Sequence, residues 1–348
     1  MLDTIHRPPE LTNDQDGKRP QPLPSPGVYL AEAAVRPSVV VALGGLVLAL
    51  LVMSGSATFC AVAVLMITLV VSFTTTARGS MDGGAILVGE DPQLDGAGRA
   101  TLLVTAHPDD ECMFFTPAVI YLSKAGAPLH VLCLSTGNYD GLGAARATEL
   151  MSSCARLGVP PERVTVLDDA RLQDGPRNAW PSEHVAAVVR HTIEARRIAR
   201  VVTFDDWGVS GHPNHGAVSA GVRRMLADDD GHSCGGGSGG PALPVGTVRP
   251  VRVYELESKA TLRKLASVWD IGPSLLELCA RRYARRAWHA LRRGRYAPAS
   301  DGRCCCVALP GPWRCHAAMR EHQSQYVWYR RLYVLFSSYA IVNTLRRV

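Results

Sequence analysis

Polar and apolar positions divide the chain into zones. Residues 1–38 are polar and Pro-rich and read as a disordered tail. From Val39 to Phe73 no residue is charged, a run of 35 residues. A bilayer is crossed by about 20. The run splits into Val39–Met53 and Phe59–Phe73 around Ser-Gly-Ser-Ala-Thr. Each arm is short for a full span, so we read one tilted transmembrane helix rather than a hairpin. A signal peptide is a poor fit, because its apolar core is shorter and lies nearer the start. Residues 74–98, with Gly, Ser and Asp, read as a linker.

From Arg99 the periodicity changes to alternating strand and helix signals. Ala100–Thr105, Leu129–Ser135, Val164–Leu167, Val201–Thr203 and Val251–Leu256 are short apolar runs of strand length. Between them, helices are expected over Met113–Lys124, Gly143–Leu157, Ser182–Arg196 and Ala217–Leu226. The first of these starts instead at Thr116-Pro117 if that pair is its cap and first turn. Gly158 stops the second. Strand–helix alternation predicts an α/β domain over 99–348. Its sheet is Rossmann-like and mostly parallel, with helices on both faces and ligands at the strand C-termini. Two stretches read as insertions: 228–246, Asp-rich then Gly-rich, and 281–311, with eight arginines by residue 303 and Cys304–Cys306 in a loop. Tyr326, Trp328, Tyr329, Tyr333 and Phe336 suit either a membrane interface or an amphipathic helix packed on the core.

Composition narrows the class. The chain has 348 residues, 47% hydrophobic and 20% charged, which excludes a disordered tail or a disulfide-stapled mini-protein. The net charge of +6 is uneven. Residues 251–348 hold 18 Lys/Arg against 6 Asp/Glu, and the remainder holds 19 against 25. No nucleic-acid fold accompanies the basic third. With an apolar span in the same chain, anionic lipid headgroups are the simpler partner. Ten scattered cysteines suggest reduced thiols and a cytosolic domain.

Two motifs carry chemistry. Ala106-His107-Pro108-Asp109-Asp110-Glu111 follows the first strand of the domain. Gly211-His212-Pro213-Asn214-His215 follows the fourth. Both sit where open α/β sheets place their sites. Together they offer imidazole and carboxylate, a donor set suited to catalytic zinc, iron or another divalent ion. Not all these groups can be ligands. A spare carboxylate serves as general base, and a spare His polarises a carbonyl or protonates an amine. Taken singly, each motif also reads blandly, as an acidic helix start or a surface His pair.

Ala106–Glu111 and His212–His215 resemble the two signatures of the LmbE-like zinc de-N-acetylases. Phe204–His215, His322–Tyr333 with Asn343-Thr344-Leu345, Gly137-Asn138-Tyr139, Arg146 and Glu149-Leu150 are similar to the eukaryotic N-acetylglucosaminylphosphatidylinositol de-N-acetylases within that superfamily. The resemblance implies that His107, Asp110 and His215 ligate one divalent metal, foremost Zn2+. It implies that Asp109 is the general base toward the metal-bound water, and that His212 stabilises the oxyanion or protonates the amine. The implied reaction removes acetate from GlcNAc-phosphatidylinositol, the second step of GPI-anchor assembly. The implied setting is the endoplasmic reticulum membrane, single-pass, with the catalytic domain facing the cytosol. Other enzymes of that pathway are possible partners; nucleic acid is not. Arg146 and Asn138 are candidate substrate contacts, against an ion pair with Glu149 and an ordinary turn residue. The alternatives are a deacetylase of another GlcNAc conjugate and a non-catalytic scaffold.

Overall fold

The computed structural model describes residues 85–89, 94, 98–232, 251–291 and 302–348. The expected tail, the span and most of the linker lie outside the described residues, as does most of the 228–246 insertion. Among the described residues no helix is long and apolar enough to cross a membrane.

An eight-stranded mixed sheet forms the core, in the order β1-β7-β8-β6-β5-β2-β3-β4. Its strands are β1 (Ile86–Gly89), β2 (Thr101–Thr105), β3 (Leu129–Cys133), β4 (Val164–Val166), β5 (Arg200–Phe204), β6 (Arg252–Leu256), β7 (Arg303–Val307) and β8 (Val342–Arg347). The β6-β5-β2-β3-β4 portion is parallel. Its two central strands, β2 and β5, are buried at every position, as strands covered on both faces should be. From β2 the chain steps outward to β3 and β4. It then returns to the other side of β2 for β5 and β6. The switch point of this doubly wound unit therefore lies between β2 and β5, where such sheets open a crevice.

Among the described residues ten α-helices accompany the strands: α1 (Asp110–Met113), α2 (Thr116–Lys124), α3 (Gly143–Arg156), α4 (Ser182–Arg196), α5 (Gly208–Gly211), α6 (Pro213–His232), α7 (Thr261–Lys264), α8 (Ile271–Leu291), α9 (Gly311–Met319) and α10 (Trp328–Phe336). The expected Met113–Lys124 helix is in fact two. Thr116 Oγ1 donates to Cys112 O at 2.7 Å, tying the end of α1 to the start of α2. Pro117 occupies the first turn of α2, where its missing N–H costs nothing. The helix expected over Ser182–Arg196 forms with those bounds, as α4, with Pro181 before it in extended backbone. The Ala217–Leu226 helix begins earlier, at Pro213, and runs to His232.

The sheet departs from the mostly parallel expectation at one side. β8 pairs antiparallel with β6 and β7, and β1 pairs antiparallel with β7. Cys304, Cys305 and Cys306, read from sequence as a loop within an insertion, are a buried strand. Cysteine is a small hydrophobe as much as a reactive group. Here burial pushes the Cys305 thiol up to about 11 and that of Cys315 to about 12. That makes them poor nucleophiles. The eight described cysteines are all free, in accord with reduced thiols. The start of the same expected insertion, 281–291, is the end of α8.

One polar side chain binds this added layer to the parallel unit. Asn343 of β8 is fully buried. Its Oδ1 accepts from Ala118 N at 3.1 Å and its Nδ2 donates to Phe114 O at 2.8 Å, across the α1–α2 break. Asn343→Leu strands both backbone groups without water. It should lower unfolding free energy by about 2–4 kcal/mol, read as a lower denaturant midpoint at unchanged slope.

Candidate active site

The loops that follow β2 and β5 meet at the switch point. After β2, the backbone makes a strained turn: Asp109 sits at φ 112°, left-handed for a residue with a Cβ. Glu111 Oε2 accepts from Asp109 N at 3.0 Å, while Asp109 O accepts from Cys112 N and Met113 N. After β5, Val209 is at φ 63°, a genuine outlier for a β-branched residue. Its N–H donates to Ser258 Oγ at 2.7 Å, and its carbonyl accepts from Lys264 Nζ at 2.5 Å. The neighbouring Gly208 is obligatory, since a Cβ there would lie 2.3 Å from His215 Cβ. Both signature loops thus hold side chains at the crevice by backbone conformations that surrounding bonds enforce.

His107, His212 and His215 converge, with ring nitrogens all within 4.8 Å of one another. Asp110 joins them. Its Oδ2 accepts from Ala106 N at 3.0 Å and His107 N at 2.9 Å, and its Oδ1 lies 3.2 Å from His215 Nε2. Burial works against the Asp110 charge, but His215 and His107 prevail and hold its carboxyl well below the usual range. The His215 ring stacks on Phe204 at 4.2 Å. Its Nδ1 donates to Gly208 O at 2.9 Å, which leaves Nε2 facing the carboxylate. An imidazole lone pair and a carboxylate oxygen at that separation need a proton or a cation between them. His107 Nε2 is buried without a hydrogen-bond partner, although Asp174 Oδ1 lies 3.0 Å away out of alignment. Orphaned imidazole nitrogen and paired oxygen donors fit a divalent cation.

The remaining groups differ in role. Asp109 is buried. Burial raises its pKa, opposed by Arg330 and Arg146. Arg330 Nη1 is 2.5 Å from Asp109 Oδ2 and Arg146 Nη2 is 3.4 Å from it. His212 is half-buried, and burial together with the neighbouring His107 and His215 lowers its pKa to about 4. Its Nδ1 accepts from Asn214 N at 3.3 Å, so the neutral ring carries its proton on Nε2.

Sequence reasoning placed His107, Asp109, Asp110, His212 and His215 as candidates, and the structure brings all of them together. Arg146 also reaches the site, but as a brace. It donates to Gly137 O and Pro108 O, each at 2.8 Å. The alternative Arg146–Glu149 pair is not formed, because Glu149 accepts instead from Ser324 N at 2.8 Å and Ser324 Oγ at 2.6 Å. Asn138 is exposed, and its Oδ1 accepts from Gly143 N at 2.8 Å at the start of α3.

Sequence reasoning missed Asp174 and the roles of Glu111, His322 and Arg330. Asp174 follows β4, whose C-terminus opens on the same side as β2, and that position was its one available signal. Glu111 and His322 form a fully buried pair at 2.8 Å, with Ser153 Oγ donating to Glu111 at 2.5 Å. Through Glu111 this pair supports the Asp109 backbone. Cys112 lies beside it, and burial pushes its thiol far up.

A family model described as GlcNAc-PI de-N-acetylase (PIG-L) matches residues 102–226. The N-acetylglucosaminyl-phosphatidylinositol de-N-acetylase of Bos taurus is 38% identical over 256 residues, covering 74% of this chain and 86% of that protein. The probable enzyme of the same name in Schizosaccharomyces pombe is 34% identical, covering 72% and 87%. The 1D-myo-inositol 2-acetamido-2-deoxy-alpha-D-glucopyranoside deacetylase of Thermobifida fusca is 30% identical over 148 residues, 34% of this chain and 50% of that one. The crevice and its relatives define a de-N-acetylase. The chain belongs to the N-acetylglucosaminyl-phosphatidylinositol de-N-acetylase family.

His322→Ala leaves Glu111 charged and buried without its ionic partner. It should lower unfolding free energy by about 3–5 kcal/mol in chemical denaturation. Replacing Arg156, whose pair with Glu321 is solvent-exposed, should change it by less than about 1 kcal/mol.

Proposed function

We propose that the chain hydrolyses the acetamide of N-acetylglucosaminyl-phosphatidylinositol to glucosaminyl-phosphatidylinositol and acetate. In this reading it performs the second step of GPI-anchor assembly at the endoplasmic reticulum, its catalytic domain facing the cytosol behind a single N-terminal span. The observation that carries the reading is the convergence of His107, Asp109, Asp110, His212 and His215 at the β2/β5 switch point in a chain of this family.

His107, Asp110 and His215 are the residues that would hold a divalent cation, zinc foremost. Bound there, it would polarise the acetamide carbonyl and acidify a water molecule. The Asp109 carboxylate takes the proton of the attacking water. Its burial favours accepting that proton, while Arg330 and Arg146 hold the carboxylate in place. The water oxygen bonds to the carbonyl carbon, and negative charge gathers on the carbonyl oxygen. His212, with Nδ1 occupied by the Asn214 amide, turns a protonated Nε2 to that oxygen. The C–N bond then breaks. The amine leaves with the proton that Asp109 took from the water, and the acyl carbon departs as acetate. Phe204, stacked on His215, and Phe114, edge-on to it at 5.7 Å, keep bulk water from the inner wall.

A second reading, hydrolysis of a water-soluble GlcNAc-inositol conjugate, is favoured by the likeness to the Thermobifida fusca protein. One assay separates the two. Membranes carrying the chain receive radiolabelled GlcNAc-phosphatidylinositol or its water-soluble headgroup, with and without chelator. Chelator-sensitive release of the free amine from the lipid is expected. Asp109→Asn should lower it by about a hundredfold or more, in line with the loss of a general base. Faster turnover of the soluble compound would favour the second reading, and no turnover of either would overturn both.

A further inference from the structure

Helix α10 has a divided surface. Arg330, Tyr333 and Val334, at helical spacing, face inward. Arg330 reaches Asp109, the Tyr333 ring meets Phe114 edge-on at 6.2 Å, and Val334 is fully buried. The outward side is largely apolar: Trp328 is 72% exposed, Tyr329 54%, Leu332 48%, Leu335 44% and Phe336 51%, with one cation, Arg331, exposed among them. An ordinary surface helix turns its apolar stripe to the core and its charges to water. Here one arginine goes to the site, and the large apolar side chains go out beside the other.

The exposed surface continues beyond the helix. Ser267 Oγ donates to Leu335 O at 3.3 Å, which ties α10 to the segment bearing exposed Leu262, Leu265 and Trp269. From that segment Lys264 Nζ reaches Val209 O, two residues past the exposed Trp207. Trp, Tyr and Leu interspersed with Arg and Lys is the composition of a membrane interface, where rings and basic heads sit at headgroup depth. Two further facts select a bilayer rather than another protein as the occupant. The same chain carries the 35-residue uncharged run Val39–Phe73, long enough to span a membrane. Its last 98 residues hold 18 Lys/Arg against 6 Asp/Glu, complementary to anionic lipid.

We propose that the outward side of α10, with the 261–270 segment, docks on the bilayer surface and sets the mouth of the active site at headgroup depth. The sugar of a lipid substrate then reaches Asp109 and His212 while its acyl chains stay in the membrane. The benefit to catalysis rests on the lipid-substrate reading above; the docking itself does not.

The test uses the full chain reconstituted in phosphatidylcholine vesicles containing phosphatidylserine. A bimane fluorophore is placed at Leu332→Cys or, as control, at Glu183→Cys, an exposed position on α4. Both are made with Cys279→Ser to remove the exposed described thiol, and the unsubstituted background signal is subtracted. Lipid-borne nitroxide should quench position 332 strongly and position 183 hardly at all, with iodide showing the reverse order. Equal iodide quenching at both positions and none by nitroxide would overturn the proposal, since the face would then lie in water. Shielding of position 332 from both quenchers would also overturn it, because a protein would then cover the face. In a second arm, Leu332→Glu with Leu335→Glu should cut turnover of vesicle-borne substrate about tenfold, with the soluble headgroup hydrolysed at the parental rate. Equal loss on both substrates would count against docking. If the parent hydrolyses neither, the substrate reading fails, and the quenching result alone decides the docking.

Discussion

The parallel pairing of β2 with β5 is the constraint on which the site depends. Thr101, Leu102 and Leu103 register with Arg200, Val201 and Val202. A one-residue slip would turn every side chain of either strand to the opposite face. Both strands are buried throughout, so a slip would disrupt the packing on both faces of the sheet. Fixed register delivers His107 and His215 to opposite lips of the same crevice. The metal-type donor set is a consequence of strand pairing, and neither loop holds enough of it alone.

A second layer of support comes from the C-terminal segment. It reaches the β2 loop at several points: Arg330 to the Asp109 carboxylate, His322 to Glu111, and Asn343 to the α1–α2 break. Ser324 on Glu149 and Arg146 on Pro108 bind α3 into the same assembly. Every one of these contacts is ionic or hydrogen-bonded, and most are buried. Such a network is costly to leave half-made, so it specifies one arrangement of the strained Asp109 turn.

This division also explains what the sequence disclosed. The five convergent residues were legible because each motif is contiguous and follows an apolar strand, so local pattern and chemistry coincide. The parallel strands were legible for the same reason. The antiparallel side was not: Arg-Cys-Cys-Cys-Val carries no β-branched alternation, and Val-Asn-Thr-Leu-Arg-Arg hides its one decisive side chain, Asn343, among polar ones. Arg330 stood inside a family-like segment, yet nothing local could reveal that its partner is Asp109, 221 residues away. Asp174 has no motif around it. Long-range electrostatic partners leave no periodic trace, whereas burial does.

The order of synthesis gives the C-terminal contacts a further meaning. The uncharged Val39–Phe73 run leaves the ribosome early, and the histidines of both signature loops follow. Arg330 and β8 emerge last among the described residues. Until they arrive, Asp109 has no arginine from that side, the Glu111 carboxylate has no imidazole, and the sheet ends at β6. A nascent chain therefore carries all its acid–base and ligand groups while still lacking the frame that aims them. A message cut short between His215 and His322 would yield a polypeptide with both signatures intact and none of the C-terminal contacts that brace them.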